Sequence, residues 1–335
     1  MLRHPNRVRI TRPVAFFCTC VAVLIVLHLW YLDRAATAPS SSTSPVQNGK
    51  ASSDVELVVA SMKHENTSWI RESLPDWRSS IYVVDDPGAQ LTVPRNKGRE
   101  AMVYLTYIID NYDNLPANML FIHAQRFQWH NDDPDYDGLR LLRRFRLPYL
   151  QRRGYVNLRC VWVIGCPSEI RPFEEEAAAA AAAAAESEKA GQGEGEPRTG
   201  HVFKKAFQEL LPDVEVSQEV GVSCCAQFAV TRDKVRERPR DEYVRYREWL
   251  LNSPLQDSVT GRVFEYSWHI IFGQPPVHCP RAGDCYCDVY GLCDRRCEAP
   301  DRCEGQYTLP PFATLPDGWP RVGWQGEPRN FSGPL

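Results

Sequence analysis

Two imidazoles and two carboxylates fall within eleven residues of one another, at His123, His130, Asp132 and Asp133. Imidazole nitrogen suits transition metals and carboxylate oxygen suits Mg²⁺ or Mn²⁺. His123, Asp132 and Asp133 are therefore candidate metal ligands, and His130 a candidate general acid or base. A plainer reading stands beside it: Asp132-Asp133-Pro134 makes a polar turn, and Trp129 packs on a core. Glu265 and His269 are four residues apart, a spacing that shares one helix face. Facing a cleft, Glu265 would be a base and His269 a further metal ligand; facing solvent, they are an ordinary helix pair. Asp85-Asp86 could hydrogen-bond a ribose hydroxyl or base edge, or make a turn with Pro87-Gly88. The loop Asn96-Lys97-Gly98-Arg99-Glu100 precedes a helix, where backbone N–H groups favour anions. Asn96, Lys97 and Arg99 are thus candidate phosphate contacts, against a reading as a simple helix cap. The chain has no Gly-rich loop ending in Lys-Ser/Thr, no His-Glu-x-x-His helix and no Gly-x-Ser-x-Gly elbow.

These side chains need a scaffold that gathers distant segments. Apolar runs at Glu56–Ser61, Ile81–Asp85, Met119–His123 and Leu158–Gly165 predict strands. Between the second and third, Arg99–Tyr112 carries Ala101, Leu105, Ile108 and Tyr112 on one helical stripe, with Pro116 beyond it. Leu139–Gln151 predicts another helix. Further on come a helix at His201–Leu211, a strand at Cys224–Val230, and helices near Asp241–Leu251 and Arg262–Phe272. Strand–helix alternation predicts an α/β domain with a mostly parallel sheet and flanking helices. In such a sheet, ligands sit beyond the carboxyl ends of the strands, where the clusters at Lys63-His64-Glu65, Asp85-Asp86 and His123 fall. Residues 174–200, with nine consecutive Ala and a Gly/Glu stretch, predict a surface insertion whose Ala run can be helical.

Residues 14–32 are uncharged, and as a helix they span roughly 28 Å, close to a bilayer's hydrocarbon core. Arg3, Arg7, Arg9 and Arg12 precede them, so residues 1–13 read as a cytoplasmic tail and the remainder as luminal. That predicts a single-pass type II anchor in a Golgi or other secretory-pathway membrane; a cleaved signal peptide ending near Ala36-Thr37-Ala38 is the alternative. Residues 33–54 read as a flexible stem, 55–273 as the α/β domain and 274–335 as an irregular Cys-rich tail. The net charge is −3, and with five Arg against one Asp in the first 34 residues, the rest is more acidic still. An acidic luminal domain argues against nucleic acid as a partner. Ten cysteines lie beyond the anchor, six of them between Cys279 and Cys303. Disulfides are the main expectation, with pairing open, and a zinc site at His278, Cys285 and Cys287 is the alternative. Asn66 and Asn330 stand in glycosylation patterns.

The segments NKGREAMVYLTYIIDNYDNLP, FIHAQRFQWH, CCAQFAVTRDKVRERP and GRVFEYSWHIIFG resemble the fungal family catalogued as domain of unknown function 3431, over roughly residues 55–273. More distantly, the arrangement is similar to glycosyltransferases of the GT-A type. That resemblance implies a nucleotide sugar as donor, a glycan or glycoprotein as acceptor, and Mn²⁺ or Mg²⁺ as cofactor. It implies Asp85 and Asp86 at the nucleoside, His123, Asp132 and Asp133 near the metal and pyrophosphate, Glu265 as base and His269 as a third ligand. The Asp-any-Asp motif such enzymes carry is replaced by His123-Ala124-Gln125. Two alternatives follow: a non-catalytic secretory protein that binds a glycan or partner, and a metal-dependent hydrolase using His123, His130 and Asp132.

Overall fold

The computed structural model describes residues 54–187, 199–304 and 314–331. The expected tail, anchor and nearly all of the stem lie outside the described residues. Among the described residues no helix is long and apolar enough to cross a membrane.

The centre is a five-stranded sheet in the order β2-β1-β3-β6-β4. β1 (Val55–Ser61), β2 (Arg78–Val83) and β3 (Asn118–His123) run parallel. β6 (Phe228–Thr231) lies antiparallel between β3 and β4 (Tyr155–Asn157). The fold is therefore mixed α/β with a mostly parallel sheet, as the alternation predicts. A small parallel pair joins β5 (Gly221–Val222) to β7 (Val277–His278).

Both faces of the sheet are covered, so the central strands are apolar on both sides. Leu57, Val59, Leu120 and Ile122 face one apolar cluster, whereas Val58, Met119 and Phe121 face the other. The second cluster is aromatic at its centre. Phe121 stacks on Phe228 at 4.9 Å between ring centroids, Tyr104 meets Phe121 edge-on at 4.9 Å, and Trp268 lies 5.4 Å from Phe228. Helix α1 (Ser68–Ser73) covers the first face, and α2 (Glu100–Asn111) packs on the second with its first nine residues after Glu100 all buried.

Three segments depart from the sequence reading, each for a local reason. The run expected as a strand at 158–165 leaves the sheet after Asn157. The Asp132 carboxylate accepts from the backbone N of Cys160 (2.7 Å) and Val161 (3.1 Å), taking donors a strand neighbour would use. The helix expected at 139–151 is two, α3 (Gly138–Arg144) and α4 (Leu147–Arg153). Pro148 sits in the first turn of α4, where its missing N–H costs nothing, but it cannot continue α3. After α5 (Pro172–Ser187), α6 (Thr199–Leu210), α7 (Arg232–Arg236) and α8 (Arg240–Asn252), the helix expected at 262–272 is also divided. It becomes α9 (Asp257–Glu265) and α10 (Trp268–Ile271). The start of the Ala-rich insertion is helical and docked, with Glu176 paired to Lys204 of α6 at 2.6 Å.

The Cys-rich tail is more ordered than expected, holding α11 (Ala282–Tyr290). Cys160–Cys285 and Cys166–Cys279 fasten it to the segment after β4, and Cys287–Cys293 and Cys297–Cys303 close short loops. Cys285 and Cys287 are thus bonded to different partners, and the alternative zinc site with His278 loses both its thiolates.

Candidate functional site

A cleft of about 840 Å³ opens beyond the carboxyl ends of β1 and β3. Strand β1 delivers Ser61 and Met62, and β3 delivers His123. The first turn of α2 delivers Arg99 and Glu100, and the last turn of α9 delivers Arg262 and Glu265.

The loop after β3 is rigid by construction. Arg126 and Asp137 are both buried and joined by two 2.8 Å hydrogen bonds, which pins the loop's ends together. Asn131 Nδ2 donates to the carbonyls of Arg126 (2.7 Å) and Tyr136 (3.0 Å) across its interior. Trp129 and His130 are thereby held at the cleft wall. The Nδ1 atoms of His123 and His130 are 3.0 Å apart. Burial lowers the pKa of both rings, and each suffers from the other's charge or from Arg99 nearby. Burial thus favours the neutral form of both rings, and His130 Nδ1 also lies 3.1 Å from Gln128 Oε1. His123 Nε2 is buried and has no protein partner among the described residues.

Opposite stand two carboxyls. Burial pushes the Glu100 carboxyl up to about 7, with the Arg99 charge only partly offsetting it. Burial also raises Glu265, offset in part by Arg262 and by the hydrogen bond its Oε1 accepts from Cys225 N. Two acids shifted upward beside two imidazoles shifted downward form a candidate proton-transfer set.

Arg99 adopts φ +53°, an uncommon conformation for a residue with a side chain, directly after Gly98 at φ +69°. Gly98 is doubly required, because a Cβ there would lie 2.5 Å from Leu250. The aliphatic stem of Arg99 lies over Gly261, where an added Cβ would come within 3.1 Å of it. The exposed Arg99 has no hydrogen bond or ion pair to another described residue. Arg262 is held by Glu169 and rests against the Tyr266 ring.

Of the residues singled out in the sequence, His123, His130, Asn96, Arg99 and Glu265 line this one cleft. The others do not. Asp85 accepts from the backbone N of Lys63 (2.7 Å) at the end of β1, while Asp86 pairs with Lys63 Nζ (3.0 Å) and accepts from Gly88 N within the turn. Lys97 donates to the carbonyls of Ser253 (2.7 Å) and Leu255 (3.1 Å), tying its loop to the end of α8. Asp132 is 2% exposed and committed to Cys160 and Val161. Asp133 accepts from the backbone N of Asp135 and lies 3.6 Å from Arg140. His269 is fully buried, bonded through Nε2 to the Pro276 carbonyl at 2.9 Å, and burial lowers it to about 4. It does not share a helix with Glu265.

This decides whether the expected Mn²⁺ or Mg²⁺ fits. Only His123 of the four expected ligands reaches the cleft. Among the described residues the one close group of three metal-type donors is Cys224, Cys225 and Glu265, and its two sulfurs are bonded to each other. A hard divalent ion has no preformed donor set there. Asp132→Ala is accordingly expected to act on stability: two buried N–H groups lose their acceptor, costing about 2–4 kcal/mol in urea unfolding. An unchanged unfolding midpoint would contradict that role.

The sequence reading named Glu100 only as the end of the Asn96–Glu100 loop, without a role of its own, and missed Arg262 and the wall formed by the C-terminal segment 314–331. From that segment Trp319 reaches the cleft. Its Nε1 donates to the Asp135 carbonyl (2.8 Å), and Arg329 lies 4.0 Å from its ring while bonding Asp135 Oδ1 at 2.6 Å. Glu100 was visible only as a first-turn acid, which ordinarily serves the helix dipole.

Comparison with known proteins gives one match: the family described as "Protein of unknown function (DUF3431)" matches residues 57–288. No curated protein and no solved structure matches the chain.

Proposed function

The chain belongs to that family of unknown function, and from its cleft we propose that it is a membrane-anchored, luminal glycosyltransferase-like enzyme. It would move a sugar from a nucleotide donor to a hydroxyl of a glycan or glycoprotein. One observation carries the reading: a single cleft at the strand ends holds two arginines beside a set of carboxyls shifted upward and imidazoles shifted downward by burial. Arg99, Arg262 and the N-terminal turn of α2 suit a diphosphate leaving group. Glu265 suits removal of the acceptor hydroxyl proton, and His123 and His130 suit its onward passage. The bond from the sugar's anomeric carbon to the diphosphate oxygen breaks, and a bond to the acceptor oxygen forms. Arginine charge neutralises the diphosphate in this scheme, and no step runs through a metal. The antiparallel strand β6 set beside parallel β3 supports the sheet analogy with GT-A enzymes, which is an analogy of fold alone. The uncharged run at 14–32 and the disulfides support an oxidising secretory compartment.

The test is binding of a nucleoside diphosphate to the purified protein by titration calorimetry, with Mn²⁺ and with a chelator. Binding that survives the chelator is expected. Arg99→Ala is expected to weaken it about tenfold or more, as loss of a charged hydrogen-bonding group does. No binding across uridine, guanosine and cytidine diphosphates would remove the reading.

A second reading, a non-catalytic glycan binder, is favoured by Trp129 and Trp319 on the cleft wall, since aromatic faces suit sugar rings. It predicts glycan binding that persists in Glu265→Gln and is lost in Trp319→Ala. The hydrolase alternative is disfavoured, because Asp132 accepts from the backbone N of Cys160 and Val161 and does not line the main cleft with His123 and His130.

A further inference from the structure

Cys224 and Cys225 are adjacent in sequence and bonded to each other, closing a small ring that contains their own peptide bond. Both are buried and both line the cleft. The turn they begin bonds Glu265 and His123 directly and reaches His130 through Arg159. Cys225 N donates to the Glu265 carboxylate. Gln227 accepts from the backbone N of His123 at 3.1 Å and donates to Asn131 in the loop after β3. Arg159, 2% exposed, donates to Cys225 Sγ at 3.1 Å, to the Val163 carbonyl at 2.7 Å and to the His130 carbonyl at 3.4 Å. The turn is also held where side chains seldom go: φ is +88° at Cys225 and +47° at Ala226.

We propose that the Cys224–Cys225 disulfide is a reversible clamp that positions Glu265, closed when oxidised and released by a dithiol reductant. The name Glu265 carries in this inference, the site's proton acceptor, rests on the transferase reading; the clamp itself does not. The ring fixes the Cys225 peptide so that its N–H aims at the carboxylate. Opening proceeds by ordinary exchange. A reductant thiolate attacks Cys224 Sγ, and Cys225 leaves as a thiolate stabilised by the Arg159 guanidinium. The second reductant thiol then displaces Cys224, so the reductant ends as a cyclic disulfide and the protein holds two thiols, having gained two electrons and two protons. Without the ring, nothing covalent holds Cys225 and Ala226 at positive φ. Their return to ordinary backbone conformations turns the Cys225 N–H away from Glu265.

The charged and titratable groups facing Glu265 are Arg262 and Tyr266 from its own helix end, Glu100 from α2 and His123 from β3. Of these only His123 is tied to the turn, through the backbone N–H that Gln227 accepts. Loss of the Cys225 bond therefore shifts Glu265 in one direction, upward. The readout is carbodiimide labelling of the Glu265 carboxyl in the full chain across pH, quantified by peptide mass spectrometry, with alkylation mapping which disulfides are open. Graded dithiothreitol is expected to open Cys224–Cys225 and to raise the Glu265 labelling midpoint by about one pH unit, the scale of one hydrogen bond to a charged group. Reoxidation is expected to restore it. The Cys224→Ser, Cys225→Ser double variant is expected to start at the raised midpoint and ignore dithiothreitol. Where that variant does not fold, the reduction and reoxidation cycle of the native chain carries the test alone. An unchanged midpoint with the ring open overturns the clamp, and so does a ring that stays closed until the protein unfolds. A midpoint shift in a protein that binds no nucleoside diphosphate keeps the clamp and removes the transferase reading.

Discussion

Glu100→Gln is expected to stabilise the protein by about 3 kcal/mol at pH 8 and by almost nothing at pH 4. The sign follows from the carboxyl's raised pKa. Burial lifts it from 4.5 to about 7 in the folded chain. Below pH 4.5 the carboxyl is protonated in both states and contributes no difference. As pH rises from 4.5 to 7, the unfolded chain releases its proton while the folded chain keeps it, so stability falls. Above 7 the folded chain must carry a buried negative charge, and the loss is complete. Gln keeps the shape and never ionises. Urea midpoints of both proteins at pH 4, 6 and 8 measure the effect, and a gain independent of pH would refute the buried-charge account. A fold that retains such a destabilising group at the wall of its candidate site fits a general pattern in which sites are kept at a cost in stability.

The parts of this architecture legible in the sequence are those whose burial is two-sided or strictly periodic. β1 and β3 are continuous apolar runs because both sheet faces are covered, and α2 is legible because Ala101 to Ile109 are all buried, Tyr104 among them against Phe121 and Phe228. The segment 158–165 has the same composition as those strands, yet it is buried under α11 by Cys160–Cys285 and bonded to Asp132 instead of a strand. Composition does not distinguish the two modes of burial. The Glu265/His269 spacing failed because α9 ends at Glu265. Ser267 turns its hydroxyl back to the Val263 carbonyl at 2.7 Å, and the next short helix points His269 into the core. Of the candidate site, His123, His130, Arg99, Asn96 and Glu265 were recognisable by residue type at strand and helix ends. Trp319 was not, because it arrives from the far end of the chain through contacts with Asp135. Nor was the Cys224–Cys225 bond, since ten cysteines leave the pairing open.

Glu265→Gln then separates catalysis from scaffold. Under the transferase reading it is expected to lower turnover by a factor of about 10²–10⁴, the usual contribution of a positioned general base. Nucleotide affinity is expected to stay within about twofold, because the diphosphate meets Arg99 and Arg262. Gln still accepts the Cys225 N–H, so the clamp geometry survives and only the proton acceptor is lost. Arg99→Ala should show the opposite split, with donor affinity falling more than turnover at saturating donor. In the native protein, turnover should fall on the acidic side as Glu265 gains its proton, at a pH above the ordinary carboxylate range because burial raises that group. The acidic limb should vanish in Glu265→Gln. Initial rates over donor concentration and pH, for the native chain and both variants, measure all three. If Glu265→Gln kept full turnover with its acidic limb in place, the proton would have to leave through His123 and His130. The carboxyl would then serve only to anchor the Cys225 turn.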